Sequence, residues 1–281
     1  MTSAPDKTRE RAVSRHPART RRDDASSRLV GEAVEAFRKL RDRRPRVHCL
    51  TNSVAQPFTA NLLLAAGAIP SMSASPEEIE GFVARAGALL VNLGTLDAER
   101  RAALPLALAA ASKAGVPVVL DPVFVDASLP RLALARKILE QGPAIIRLNA
   151  SEFEALAGLS PTPPHVLHFA EAKRCVVALT GAIDTVSDGD IMIRVRNGHA
   201  LMAQVTGMGC ASGALIAALM AFCGKPLLAA VSGLAAIGVA GEIAAETARG
   251  PGSFAAGILD TLAALDGKVL EARARLETGD A

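Results

Sequence analysis

The residues best suited to chemistry lie in Val205-Thr206-Gly207-Met208-Gly209-Cys210-Ala211-Ser212-Gly213-Ala214, which opens a long apolar run. Two glycines let the backbone come close to a ligand, and a helix start presents unpaired N–H groups with partial positive charge. Gly207, Met208, Gly209 and Cys210 therefore form a candidate anion pocket, suited to a phosphoryl group in transfer. On its own a Gly-x-Gly before a helix is explained as well by close helix–strand packing. Cys210 sharpens the pattern. A thiol in the first turn of a helix is expected to have a lowered pKa, and it would orient a substrate hydroxyl or accept its proton. The plainer reading is a small buried residue. No Gly-Lys-Ser/Thr follows, which excludes a Walker motif. No Gly-x-Gly-x-x-Gly follows the first strand, which counts against a dinucleotide-binding dehydrogenase.

A second constellation is Asn149-Ala150-Ser151-Glu152. An amide and a carboxylate three residues apart at a helix start can hold a hydrated magnesium ion beside phosphates. By spacing alone the same pair is equally an N-cap with its capping-box Glu. Asp121, after the apolar run VPVVL, offers a second carboxylate at a strand end. His48, His165, His168 and His199 make no metal-site pattern. The four cysteines have no paired spacing, and with no secretion signal they read as reduced thiols.

These residues need elements to position them. Short apolar strands are expected at 46–50, 68–72, 88–92, 116–120, 144–147 and 175–179, with a hairpin over 185–195 around Ser-Asp-Gly-Asp. Helical patterns occupy 29–39, 53–66, a stretch from Pro76, 97–114 and 151–157, and the chain reads as helical almost to its end after Gly209. Nearly all-apolar strands separated by helices predict a mainly parallel sheet covered on both faces. Ligands in such folds gather at the carboxyl ends of strands. Thr51-Asn52, Asn92 with Gly94-Thr95, Asp121, Asn149 with Glu152, and Thr180-Gly181 all fall there. One site explains all five.

Composition narrows the function classes. Of 281 residues, 50% are hydrophobic, but only 3% are aromatic, with neither Trp nor Tyr, so stacking platforms for single-stranded nucleic acid are hardly available. Residues 1–30 carry eight basic against four acidic residues, and the remainder 23 against 24. The basic character therefore belongs to an arm over 1–28, expected to be disordered, ahead of a single domain over 29–281. The apolar stretch 227–241 is short for a bilayer span and reads as a buried helix. A cytoplasmic protein is expected, with no membrane or nucleic-acid partner.

Taken together the motifs resemble the hydroxyethylthiazole kinase family of the ribokinase-like superfamily. The matching stretches are Val47-His48-Cys49-Leu50-Thr51-Asn52-Ser53-Val54, Phe58-Thr59-Ala60-Asn61, Gly67-Ala68 through Met72, and Asn92-Leu93-Gly94-Thr95. They continue with Asp121-Pro122-Val123, Arg147-Leu148-Asn149-Ala150-Ser151-Glu152, Thr180-Gly181, Val186-Ser187-Asp188-Gly189, Asn197-Gly198-His199, Thr206 through Cys210, and Gly250-Pro251-Gly252-Ser253-Phe254. The resemblance runs from about residue 30 to the end. It implies a three-layer α/β/α sandwich and transfer of the ATP γ-phosphate, with Mg²⁺, to the primary alcohol of 4-methyl-5-(2-hydroxyethyl)thiazole in thiamine biosynthesis. By the same resemblance Cys210 takes the catalytic place, Gly207 lies beside substrate and phosphate, and Met72 packs on the thiazole with Asn52 and Val54 in its wall. Arg147 and Thr180 match nucleotide-binding positions, while Asn149 and Glu152, with Asp121 nearby, match the magnesium-associated motif. A homotrimer with active sites between subunits is implied too.

The chain departs from the family after Asp121-Pro122-Val123. Where relatives carry a small, glycine-rich segment it has Phe124-Val125-Asp126, and the stretch from Glu152 to Thr180 is shorter than usual. Bulky residues remove the freedom to adopt positive φ. The departure predicts an altered pocket beside the phosphate path or a loop of different conformation. Two other functions compete: a kinase for another small alcohol such as hydroxymethylpyrimidine, and a non-catalytic protein that binds thiazole or nucleotide. The Thr51-Asn52 and Asn92–Thr95 motifs favour the thiazole, and retention of Cys210, Glu152, Arg147 and Asp121 favours catalysis.

Overall fold

A computed structural model describes residues 17–279. The apolar runs build one sheet from β1 (Arg46–Leu50), β2 (Ile69–Ser71), β3 (Ala88–Asn92), β4 (Val118–Asp121), β5 (Ile145–Asn149), β6 (Val176–Thr180), β7 (Asp184–Ser187), β8 (Met192–Val195) and β9 (Leu276–Gly279). Their spatial order is β2-β1-β3-β4-β5-β6-β7-β8-β9. Pairings from β2 to β6 are parallel, and those from β6 to β9 antiparallel. Every residue of β3 is buried, as a strand covered on both faces requires.

The helices are α1 (Pro17–Arg43), α2 (Gln56–Ala66), α3 (Ile79–Val83), α4 (Ala98–Ala114), α5 (Leu129–Leu139), α6 (Ala150–Ala157), α7 (Pro163–Lys173), α8 (Met208–Cys223), α9 (Pro226–Ala245), α10 (Pro251–Ala264) and α11 (Gly267–Arg273). On one face α1, α2, α8, α9, α10 and α11 enclose a core that includes Phe37, Leu62, Leu215, Ile237 and Phe254. On the other, α3 to α7 enclose Ile79, Leu104, Ile138 and Phe153. Each fully buried side chain of this kind contributes roughly 1.5–3 kcal/mol of transfer free energy. The result is the three-layer α/β/α sandwich expected from the strand pattern.

Two expectations are corrected. The first helix begins at Pro17 rather than at 29, so 17–28 of the supposed disordered arm continue α1. Pro suits a first helical turn, and the Ala and Arg that follow are good helix formers. Residues 1–16, the rest of that arm, lie outside the described residues. The carboxyl-terminal stretch does not stay helical, because Leu276–Gly279 returns as β9 beside β8. Among the described residues α9 alone is long and apolar enough to cross a bilayer. It is buried from Ala229 to Gly241 among other helices, as expected of a core helix.

Register places the chemistry. Asn92 stands opposite Asp121 across β3 and β4, and Asn149 opposite Thr180 across β5 and β6. The polar residues that close these strands are therefore brought side by side at one edge of the sheet.

Candidate active site

A polar chain crosses the carboxyl ends of five strands. Asn52 donates through Nδ2 to Cys210 Sγ at 3.3 Å and to Asn92 Oδ1 at 3.0 Å. Asn92 Nδ2 donates to Asp121 Oδ2 at 2.7 Å. Arg147 Nη1 lies 3.6 Å from Asp121 Oδ1, and its Nη2 donates to Thr180 Oγ1 at 2.8 Å. Asn52, Asn92 and Asp121 are almost entirely buried. Amides suit the middle of such a chain because each offers both a donor and an acceptor.

The helix start carries the other half of the site. Gly207 holds the N-cap position of α8 at φ 82°, with no side-chain cap. A Cβ there would lie 3.1 Å from the Ala55 Cβ, so the helix start packs on the turn after Asn52. A Cβ on Gly209 would lie 2.7 Å from Arg147 Nη1, so glycine lets the guanidinium sit against the first turn. Among the described residues the N–H groups of Gly209 and Cys210 donate to no protein acceptor. Unpaired amides at a helix start with a guanidinium packed against them are groups that can receive an anion.

The Cys210 thiol is not the low-pKa group expected from its helix position. Burial pushes it up to about 11, the Asp121 charge adds to that rise, and the Asn52 hydrogen bond opposes it. Desolvation of a thiolate outweighs the partial charge of the helix start. Cys210 is a neutral thiol at pH 7, able to orient a hydroxyl but not to serve as a ready base.

Asn149 and Glu152 form a complete capping box. Asn149 Oδ1 accepts from the Glu152 N–H, and Glu152 Oε2 from the Asn149 N–H, both at 2.9 Å. The other oxygen of Glu152 accepts from the Phe124 N–H at 2.9 Å. One buried carboxylate thus ties the loop after β4 to the start of α6. Phe124 has φ 60°, the left-handed conformation that glycine adopts readily, and its side chain is 62% exposed. The bulkier residue has kept a glycine-like backbone and turned its ring outward.

Asp121 Oδ1 is buried and has no hydrogen-bond partner among the described residues. Burial pushes the Asp121 carboxyl up to about 6; the Arg147 charge opposes that rise and the Glu152 charge reinforces it. A carboxylate oxygen with a long ion pair to Arg147, no hydrogen bond and a second carboxylate acting on it leaves room for a hydrated divalent cation. Among the described residues no group of three or more acidic, His or Cys side chains is placed to hold a metal ion. Asp121 would hold the cation, with Glu152 and Asn149 beside it, whose oxygens already accept N–H bonds from the cap and from Phe124.

The site thus gathers Asn52, Asp121, Arg147, Thr180 and Gly207 to Cys210, with Glu152 and Asn149 beside them. Val54 and Met72 stand outside the chain of contacts. Val54 is 64% exposed in the turn after Asn52. Met72 follows the edge strand β2, with β1 between it and β3, and packs in part on the core. Asn92, read from the sequence only as a polar strand end of the site, is the bridge between Asn52 and Asp121. One contributor was missing from the candidate site altogether. Arg100 reaches from α4 to donate to the Thr51 carbonyl at 2.7 Å. Nothing in its spacing separates it from a surface charge.

The family model of the hydroxyethylthiazole kinase family matches residues 37–268. A hydroxyethylthiazole kinase of Granulibacter bethesdensis is 48% identical over 260 residues, covering 88% of this chain and 95% of that protein. The structure of a hydroxyethylthiazole kinase protein from Pyrococcus horikoshii superposes with a TM-score of 0.84 at 37% identity, covering 88% of this chain and 99% of that one. A ribokinase-like superfamily protein of Enterococcus faecalis, 16% identical with a TM-score of 0.61 over 84% of this chain and 94% of its own, shares the fold.

Proposed function

Since the chain belongs to the hydroxyethylthiazole kinase family, we propose that it transfers the γ-phosphate of ATP to the primary alcohol of 4-methyl-5-(2-hydroxyethyl)thiazole, with Mg²⁺, as a cytoplasmic step of thiamine biosynthesis or salvage. The observation that carries this reading is the unbroken run of contacts from Cys210 through Asn52, Asn92, Asp121 and Arg147 to Thr180, beside an uncapped helix start. It joins an alcohol-orienting thiol to a phosphate-binding guanidinium.

Transfer is in-line: the alcohol oxygen bonds to the γ-phosphorus as the bond to the β,γ-bridging oxygen breaks, and ADP leaves. Positioning and charge supply most of the catalysis, because the transition state is loose and asks little of a base. The Gly209 and Cys210 amides hold the moving phosphoryl group, and Arg147 and Thr180 hold the nucleotide phosphates. Magnesium supplies further positive charge there when bound. Cys210, kept neutral, orients the hydroxyl, and the proton leaves late to an oxygen of the transferred group. Met72 and Val54 form the thiazole wall with Asn52. Their position at an open edge, with Val54 exposed, supports a homotrimer in which a second copy closes each site.

The test is ADP release from ATP and Mg²⁺ with the thiazole alcohol, with hydroxymethylpyrimidine, and with neither. Thiazole-dependent release, with the phosphate ester seen by phosphorus NMR, is the expected result. Silence from a folded, nucleotide-binding protein would sink it. Cys210→Ala should lower kcat roughly tenfold to a hundredfold with little change in the nucleotide KM, and an unchanged kcat removes Cys210 from the mechanism.

A further inference from the structure

A cleft of about 460 Å³ opens beside the start of α8, lined by Arg147, Thr180 and Gly209 together with Met202, Leu234 and Ile237. Asp184 also lines it. This carboxylate opens β7, four residues beyond Thr180, across the turn that joins β6 to its antiparallel neighbour. Its Oδ1 is fixed by the Gly181 N–H at 2.9 Å. Its Oδ2 accepts no hydrogen bond among the described residues. The acid is held in one orientation, with one acceptor free.

The groups that share the cleft decide what that acceptor can meet. Arg147, Thr180 and Gly209 line the same cleft as Asp184, so a nucleotide whose phosphates rest on them brings its sugar into that cleft too. Asp184 lies within the field of Arg147 and presents an acceptor-only oxygen there. Ribose differs from deoxyribose there by one hydroxyl donor, and a fixed carboxylate is the natural partner for it. We propose that Asp184 is a specificity-determining residue that reads a ribose hydroxyl of the nucleotide. The proposal rests on the kinase reading only so far as it takes the cleft to be the nucleotide's.

The experiment measures binding of ATP, 2′-deoxy-ATP and 3′-deoxy-ATP, with Mg²⁺, to the full chain by calorimetry at pH 8, for the native protein and Asp184→Asn. Asparagine keeps an oxygen for the Gly181 N–H but replaces the free acceptor with a donor. The native protein should bind ATP roughly tenfold more tightly than at least one deoxynucleotide. Asp184→Asn should bring ATP to the affinity of that deoxynucleotide, leave the latter unchanged, and not alter the thiazole KM. Equal binding of all three nucleotides by the native protein, or an equal loss for all three in the variant, would overturn the proposal. The native comparison needs no variant to fold. Ribose discrimination without thiazole phosphorylation would retire the thiazole reading and keep this one; thiazole phosphorylation without discrimination would do the reverse.

Discussion

The loops that leave β4 and β5 solve one problem in opposite ways. After β5 the backbone turns into α6 through a reciprocal cap between Asn149 and Glu152, with no residue forced into positive φ. After β4 the chain passes through Phe124 at φ 60°, whose N–H donates to that same Glu152, with a turn bond from the Ala127 N–H to its carbonyl. One loop is stable from its own sequence. The other borrows its conformation from its neighbour. A bulky residue can replace a small one at a strained position when a partner outside the segment fixes the backbone.

The largest expected effect breaks both loops together. Glu152→Ala removes a buried carboxylate from two backbone donors and should cost about 4 kcal/mol in urea unfolding, at about 1.5–3 kcal/mol per charge-assisted bond. A loss near 1 kcal/mol would show that the loops hold without the clamp. Next comes Asp121, at the root of the strained loop. Its folded carboxyl, raised to about 6, binds a proton more readily than in the unfolded chain, so it adds stability below about pH 4 that is lost as pH rises through 6. Asp121→Asn should therefore be about 2 kcal/mol more stable than the native protein at pH 7.5, though catalytically impaired, and the gain should vanish near pH 4. Thermal melts at the two pH values check the sign.

Asn149→Ala tests the self-sufficient loop alone and should cost about 1 kcal/mol, the worth of an N-cap. Phe124→Gly is the smallest change. It relieves about 1–2 kcal/mol of left-handed strain but adds roughly 0.5–1 kcal/mol of chain entropy, for a net gain of about 0.5 kcal/mol. A loss on this substitution would mean that the exposed ring does work in the folded protein.

What the sequence made legible follows the same division. The strands of the parallel half were readable because each is an apolar run closed by a polar residue, as ALLVN and AIIRLN are. The capping box was readable from Asn149 and Glu152 themselves. Phe124 signalled a departure, but its left-handed backbone depends on a carboxylate 28 residues away. β9 escaped because LETG has neither alternation nor apolar bulk, and pairing with β8 makes it a strand. Cys210 stands in the first turn of α8 as read, but its acidity was misread. Helix position can be read locally, whereas burial of the sulfur depends on Asn52 and Asp121 arriving from other strands.

The run of contacts from Asn52 to Thr180 also has a history in time. Its members come from β1, β3, β4, β5 and β6 in chain order, so synthesis on the ribosome delivers them one by one. Asp121 waits for Arg147, and Cys210 joins only after the parallel half of the sheet has emerged. Until then Asn52 is the one member of the row still without its Cys210 contact. That favours late docking of α8 as the event that commits the chain, because non-local pairings are the slow part of folding. A chain stalled before residue 208 would carry the polar row but not the helix that turns it into a site.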